Sequence, residues 1–501
     1  MEYDFDVIVI GSGAGGGTMA VACARAGRRV LLLDRGRELS AGERRELHGS
    51  EQLTLIDKRP YDDRLIHTDD GERRLYMGGV TGGGTSLFGG ALLRPSRADF
   101  EPGRSYGDRL PRELHEWPVS YDELAPWYDE AEHLLHVTGH PEDRLAPLEP
   151  PVRREASEVL PLAEINQHLM TRTREAGWNP FRLPLAIRAD TCLRCDRCAG
   201  FPCPNGSRRS TAQVVAEGIA EGLPITLWSG CEAERFQRRP GNLVESLHLK
   251  DPGGRRERIR ARTYVLAAGA IGSASLLLKS RFDHPLIGKN YMTHYSPVVA
   301  GIFPGRTGAD REFVKQVGFA DFYFGTKDCR EKLGIVQSLP APGPLMLARS
   351  GLKRAPHWFT SRLRGHLLPL AGTIEDLPNP ANRVSLRPDG RVQLTHEFST
   401  YDRRRGTALV TAMKSLLRNS GAAFCPGSEM PVREHVGHQC GTIRFGRTRE
   451  HAVVDTDCRM FDQPDVFVAD GSVFPTSLGV GPALTIAANA LRVASRISHD
   501  L

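Results

Sequence analysis

The sequence predicts an α/β chain of two domains, one a doubly wound parallel sheet and the other built on an antiparallel sheet. Three observations carry that expectation. Residues 7–16 read VIVIGSGAGG, a continuous apolar run that stops on closely spaced glycines, the pattern of a strand buried on both faces that turns at once into a helix. Between about 291 and 430 the pattern changes to alternating strands and hairpins, clearest in RVSLRPDGRVQL at 383–394. At 465–497 the chain returns to the first style, with the strand DVFVAD, a turn at Gly471 and a closing helix from Pro482. The first domain is therefore read as discontinuous, over 1–105, 190–290 and 431–501, and the second as 106–189 and 291–430.

Gly11, Gly13 and Gly16 have the GxGxxG spacing, which permits a tight turn, close approach of a pyrophosphate and close packing of helix on strand. A phosphate then meets the positive end of the following helix. The second strand, RVLLL at 29–33, ends in Asp34 and Arg35, and the carboxylate is placed to take the ribose hydroxyls of an adenosine. Strand, glycine turn, helix and acid together predict a Rossmann-like dinucleotide site.

From 35 to about 76 the chain is charged and irregular. Residues 77–90, MGGVTGGGTSLFGG, hold seven glycines in fourteen positions with apolar residues between them, and read as backbone passing close to a flat ligand. Residues 117–139 form a helix opened by a capping box of Ser120 and Glu123, interrupted at Pro126 and closed near Gly139, with its aromatic residues in the core. The proline-rich stretch 143–154 reads as a surface connection. A helix at 212–222 leads into a strand and a meander. The strand and small-residue turn at 265–269, followed by IGSASLLLKS, repeat the first motif and bring a second turn to the same ligand. Residues 401–419 form an amphipathic helix.

The chain has 501 residues, and its 66 basic and 60 acidic residues leave a net charge of +6 spread along the length, too diffuse to argue for nucleic acid. The densest basic run, RRERIRAR at 255–262, reads as a solvated turn and strand edge. The first strand begins almost at the N-terminus, so no signal peptide is expected, and no apolar run approaches membrane-spanning length. A soluble cytoplasmic protein is the expectation.

Taken in order, VIVIGSGAGGG, GGGTSLFGGALLRPSRADF, WPVSYDELAPWYDEAEHLL, VLAAGAIGSASLLL, IGKNYMTHYS, EDLPNPANRVSL, HQCGTIRFG and DVFVADGSVFPTSLGVGPALTIAANALRVA resemble the glucose-methanol-choline (GMC) oxidoreductases, flavoproteins that oxidise alcohols. The last two segments are the most specific. Within the family the chain is similar to bacterial members acting on sugars and sugar-like natural products. The resemblance implies non-covalent FAD, since Phe88 stands where a covalent link would need histidine or cysteine. It implies pyrophosphate at 11–16, adenosine ribose on Asp34 beside Arg35, and adenine on the backbone near Ala233. Gly82, Gly83, Thr85, Phe88 and Gly89 would follow the isoalloxazine. Gly269, Asp470 and Gly471 would lie near the pyrophosphate and ribitol, and Pro482, Ala483 and Thr485 at the pyrimidine end, where a helix start favours a reduced anionic ring.

The catalytic expectation is His438, in the pattern HxxGT, since removing a hydroxyl proton as the carbon gives up hydride calls for a base working near neutrality. Family members carry His or Asn before the proline of the last motif, and Gly481 stands there. Either His435 or His294 supplies the missing contact, or the pocket is opened for a larger substrate, or the chemistry is altered. The substrate expected is a sugar, aminosugar or glycosylated natural product, with oxygen or another carrier as final acceptor. The alternatives are a non-redox lyase on the same flavin scaffold and a purely NAD-binding dehydrogenase. Four of the ten cysteines, Cys192, Cys195, Cys198 and Cys203, fall within twelve residues, a run similar to ferredoxin ligands. It is compatible with an iron-sulfur cluster or zinc, and also with reduced thiols or a local disulfide.

Overall fold

Val7, Ile8 and Val9 have no solvent exposure, and their strand, Phe5–Ile10, runs through the middle of a six-stranded sheet. The computed structural model describes residues 3–151, 158–239, 241, 243–428 and 434–500. The sheet order is Arg459–Met460, Gln463–Val468, Ala261–Leu266, Phe5–Ile10, Val30–Asp34, Ile225–Ser229. Five of these are parallel, with Val7 opposite Thr263 on one side and Val30 on the other, and Arg459–Met460 is an antiparallel edge. Parallel neighbours on both sides require crossovers that cover the faces, which is why the central sequence is apolar throughout and does not alternate.

The opening helix Ala14–Arg25 packs between the closing helix Ala483–Asp500 and the helix Thr211–Ala220. Its seat explains two of its glycines. A Cβ at Gly15 would lie 1.5 Å from the carbonyl oxygen of Ala469, and one at Gly16 would lie 1.8 Å from that of Gly11. Main chain cannot retreat from such contacts, so the helix approaches the sheet only without side chains there.

The helix Tyr121–Leu134, grouped above with the second domain, packs on the closing helix, and Trp117, Leu124 and Tyr128 belong to the same core as the parallel sheet. The Ser120–Glu123 capping box is present. The helix continues through Pro126 and ends at Leu134, short of the expected Gly139, where His136 takes a left-handed φ of 51°.

The second sheet runs Gly427–Ser428, Val298–Ile302, Leu367–Glu375, Ile335–Ser338, Val317–Phe319, Phe181–Arg182, with His294–Tyr295 paired to the end of Leu367–Glu375. Its pairings are antiparallel. The amphipathic helix Thr400–Asn419 buries Leu409, Met413 and Leu416 against this sheet, giving a second core with Val299, Phe319 and Leu370.

Residues 35–76 are more ordered than their charge suggests. A helix at Ala41–Gly49 is opened by a Ser40–Glu43 capping box, and Leu65–Thr68 with Gly71–Arg74 forms a hairpin. That hairpin joins the predicted one, Arg383–Leu386 and Val392–Thr395, in a four-stranded sheet. Within Ala41–Gly49 only Leu47 is buried, so no apolar stripe announced the helix. In the proline-rich stretch Leu145 and Leu148 are buried with Phe181 and Leu183, so it is partly core. Residues 152–154 of that stretch, and the boundary read at 430/431, lie outside the described residues. Among the described residues no helix is long and apolar enough to cross a membrane.

Candidate active site

The opening helix begins at Gly13 with no side chain capping its first N–H groups, and a Cβ at Gly13 would meet nothing within 4 Å. Those N–H groups and the positive helix end face a cavity of about 1760 Å³. Ser12 ties the rim together. Its N–H donates to Asp34 Oδ2 at 2.7 Å, its hydroxyl bonds the same oxygen, and its Oγ accepts from Gly82 N at 2.7 Å. Gly36 N donates to Asp34 Oδ1 at 2.5 Å. Burial pushes the Asp34 carboxyl up, opposed by these hydrogen bonds. Across the cavity Asp470 joins the two later turns, accepting from Gly269 N at 2.8 Å and from Ser472 N at 2.9 Å.

His438 sits at a left-handed φ of 64°. Its loop is fastened to residues 292–294 by reciprocal backbone bonds between Cys440 and Met292 and by Thr293 Oγ1 donating to the Gly437 carbonyl. The rest of HxxGT has clear work. A Cβ at Gly441 would lie 2.2 Å from the Asn290 carbonyl oxygen, and Thr442 Oγ1 donates to the Ala270 carbonyl at 2.7 Å. His438 Nδ1 is 2.8 Å from His294 Nδ1, and His294 Nε2 is 2.8 Å from the Leu478 carbonyl oxygen. A carbonyl only accepts, so His294 Nε2 carries the proton and its Nδ1 is an acceptor. His438 therefore donates through Nδ1 and keeps a lone pair on Nε2.

Gly481 lines the cavity, and a Cβ there would stand 3.3 Å from His438 Nε2. The glycine leaves the lone pair open. Burial holds the His438 imidazole well below its ordinary value, and His294, His435 and Lys315 push it further in the same direction. The imidazole is thus neutral, oriented and open on one nitrogen, the state a proton acceptor needs.

Gly11, Gly13, Asp34, Arg35, Gly83, Thr85, Phe88, Gly89, Ala233, Gly269, Asp470, Gly471, Pro482 and Ala483 all line the one cavity, as do His435 and His438. Gly16, Gly82 and Thr485 do not line it. Gly16 is packing, Gly82 turns the chain at φ 87°, and the Thr485 hydroxyl faces Tyr128 OH at 2.8 Å in the core. His294 also lies behind the wall, where it orients His438, while His435 reaches the cavity.

Of the readings left open for the four cysteines, the metal or cluster needs correction and the reduced thiols stand. Among the described residues no group of three or more His, Cys, Asp or Glu is arranged to hold a metal ion, and Cys192, Cys195, Cys198 and Cys203 are free thiols. An iron-sulfur cluster or zinc finds no support. The segment instead wraps Arg208, whose guanidinium donates to the carbonyls of Cys198, Phe201 and Ser86, and its Ala199 and Gly200 form cavity wall.

A family model described as GMC oxidoreductase matches residues 5–296, and a second of the same description matches 378–490. The chain belongs to the GMC oxidoreductase family. This GMC oxidoreductase is 30% identical to the paromamine 6'-oxidase of Streptomyces fradiae, over 99% of this chain and 92% of that one. It is 27% identical to the 6'''-hydroxyparomomycin C oxidase of Streptomyces lividus, again over 99% and 92%. It is 26% identical to the 2-methyl-1,2-propanediol dehydrogenase of Mycolicibacterium austroafricanum, over 99% and 95%. Solved structures agree on the fold: pyridoxine 4-oxidase from Mesorbium loti superposes with a TM-score of 0.67 at 19% identity, covering 99% of both chains. A formate oxidase variant of Aspergillus oryzae RIB40 superposes at 0.68 and 15%, over 99% of this chain and 98% of that one. These relatives are oxidases and a dehydrogenase, and they lend nothing to the lyase alternative.

One residue of the site carries no sequence signal: Lys315 sits in a loop without motif spacing, yet it lines the cavity near His435 and His438. Nor does Arg208 carry one, which holds the wall from behind.

Proposed function

We propose that this GMC oxidoreductase binds FAD without a covalent link and oxidises a CH–OH group of a small molecule to a carbonyl, with His438 as the base. The cavity fits the cofactor: the uncapped helix start at Gly13 and the open faces of Gly84 and Gly269, where a Cβ would meet nothing within 4 Å, form a cradle of backbone for a pyrophosphate. Ser12, Asp34 and Arg35 would hold the adenosine end, and Phe88, Gly89 and the start of the closing helix would meet the ring. When bound, FAD supplies a two-electron acceptor for the carbinol hydrogen as hydride.

The observation that carries the reading is the chain from the Leu478 carbonyl through His294 to His438, which leaves Nε2 of His438 bare beside Gly481. Nε2 takes the hydroxyl proton, and His294 holds the ring as charge develops on it. The absent side chain at Gly481 widens the pocket, and His435, on the cavity wall, is the group we assign to the substrate oxygen. The relatives named for paromamine and 6'''-hydroxyparomomycin C favour a sugar, aminosugar or glycosylated natural product. Oxygen or another carrier takes the electrons in turn.

The test is an anaerobic titration of the purified holoenzyme with sugars, aminoglycosides and simple alcohols. Loss of the flavin absorbance bands with one class supports the reading, and their return on admitting air identifies an oxidase. Product formed while the flavin stays oxidised, without any acceptor, overturns it.

A further inference from the structure

The cavity continues past His438 across the antiparallel sheet, and that arm has its own chemistry. Val298, Ala300, Ile302, Leu347, Leu363 and Leu367 supply much of its surface. Among the described residues that line it between 296 and 427, Lys315 is the single charged side chain, and there is no Asp or Glu. The acids of the cavity, Asp34, Asp57, Asp62, Asp63, Glu232 and Asp470, belong to the nucleotide-binding side.

Lys315 has no hydrogen bond or ion pair among the described residues, and its ammonium tip lies over Gly89, where an added Cβ would come within 2.7 Å of Nζ. Burial pushes its pKa down to about 8, with Arg208 acting in the same direction and the Cys198 thiol opposing. An ammonium in such a place lacks the partner that offsets its desolvation. A ligand carrying its own ammonium groups would add like charge to the same wall and find no carboxylate to meet it.

Resting on the reading of this site as an alcohol oxidase or dehydrogenase, we propose that the substrate range given above narrows to a hydroxyl compound with an apolar body and an anionic group, received by Lys315, so that of the classes the relatives suggest the polycationic aminosugar is the one this cavity disfavours. The apolar body lies across the antiparallel sheet, the anionic group meets Nζ through a charge-assisted hydrogen bond, and the carbinol stands at His438 Nε2.

The experiment compares matched probes on the holoenzyme. Binding of 4-methylbenzoate and 4-methylbenzylamine, neither of which carries a hydroxyl, is read from perturbation of the flavin spectrum. Flavin reduction is then read with 4-(hydroxymethyl)benzoate, benzyl alcohol and 4-(aminomethyl)benzyl alcohol. The carboxylate is expected to bind at least about ten-fold more tightly than the amine. Lys315→Met should lose that preference by about the same factor and Lys315→Arg should keep it. An amine that binds as well as the carboxylate, or a Lys315→Met enzyme with the preference intact, overturns the inference. If Lys315→Met does not retain flavin, the wild-type comparison and Lys315→Arg decide alone. Tight carboxylate binding with no flavin reduction by 4-(hydroxymethyl)benzoate would show that the anionic group is received without the carbinol reaching His438, and would overturn this inference while leaving the oxidation reading to its own test.

Discussion

The proposed role of His438 as a base rests on where its two nitrogens point. Nδ1 is committed to His294, and Nε2 faces the gap at Gly481. Burial, followed by the neighbouring histidines and Lys315, holds its pKa well below the ordinary 6.5. A base with a lowered pKa stays neutral, and active, until the pH falls through that lowered value. The acid limb of the flavin-reduction rate should therefore lie below 6.5, measured as a pH profile of single-turnover reduction with a neutral alcohol. A limb at or above 6.5 would show that His438 is more exposed, or better supported as a cation, than its surroundings here allow. The placing of its loop was legible in HxxGT, whose glycine and threonine are required by a carbonyl and a helix they touch. Lys315 was not legible, because only the fold brings its loop over Gly89. His294 and His435 were both read as candidates for the contact missing at Gly481, and nothing in their spacing says that His294 stands behind the wall as the partner of His438 while His435 faces the cavity.

At the scale of elements, closely spaced glycines permit close approach of backbone, and the object approached differs from one to the next. Gly13 opens on the cavity, whereas Gly15 and Gly16 press the opening helix on the sheet. Gly15→Ala should displace that helix from Ala469 and give protein that purifies with little or no flavin, checked by its absorbance spectrum. A yellow Gly15→Ala enzyme with wild-type flavin content would contradict the seating. The short helix Ala41–Gly49 and the hairpin after it escaped the sequence reading because charge hid them. Their signals were a capping box and a pairing partner more than 300 positions away, and the second cannot be seen locally. The cysteine run left a cluster or zinc and reduced thiols both open; the thiols are free, and the chain uses the segment to surround an arginine.

For the molecule as a whole, the site lies between two cores, and a buried charge cluster helps to join them. Lys332 bonds Asp99 and lies 2.6 Å from Glu375 Oε2, which also accepts from Tyr106 OH at 2.6 Å. Glu375 Oε1 accepts from Leu478 N at 3.0 Å, and the Leu478 carbonyl in turn holds His294. Removing the cation leaves two buried carboxylates without it. Lys332→Met should lower stability by about 3–5 kcal/mol, read as a fall in the denaturant midpoint, and an unchanged midpoint would mean that the cluster is not held as described.

Whether His438 removes a hydroxyl proton as an alcohol reduces the bound flavin is measured most directly by the anaerobic single-turnover rate of flavin reduction in the wild-type enzyme and in His438→Ala, using an alcohol that bleaches the wild type. His438→Ala should keep its flavin and lose about 10²–10⁴-fold in that rate. A variant that retains flavin and is reduced at close to the wild-type rate would contradict that role.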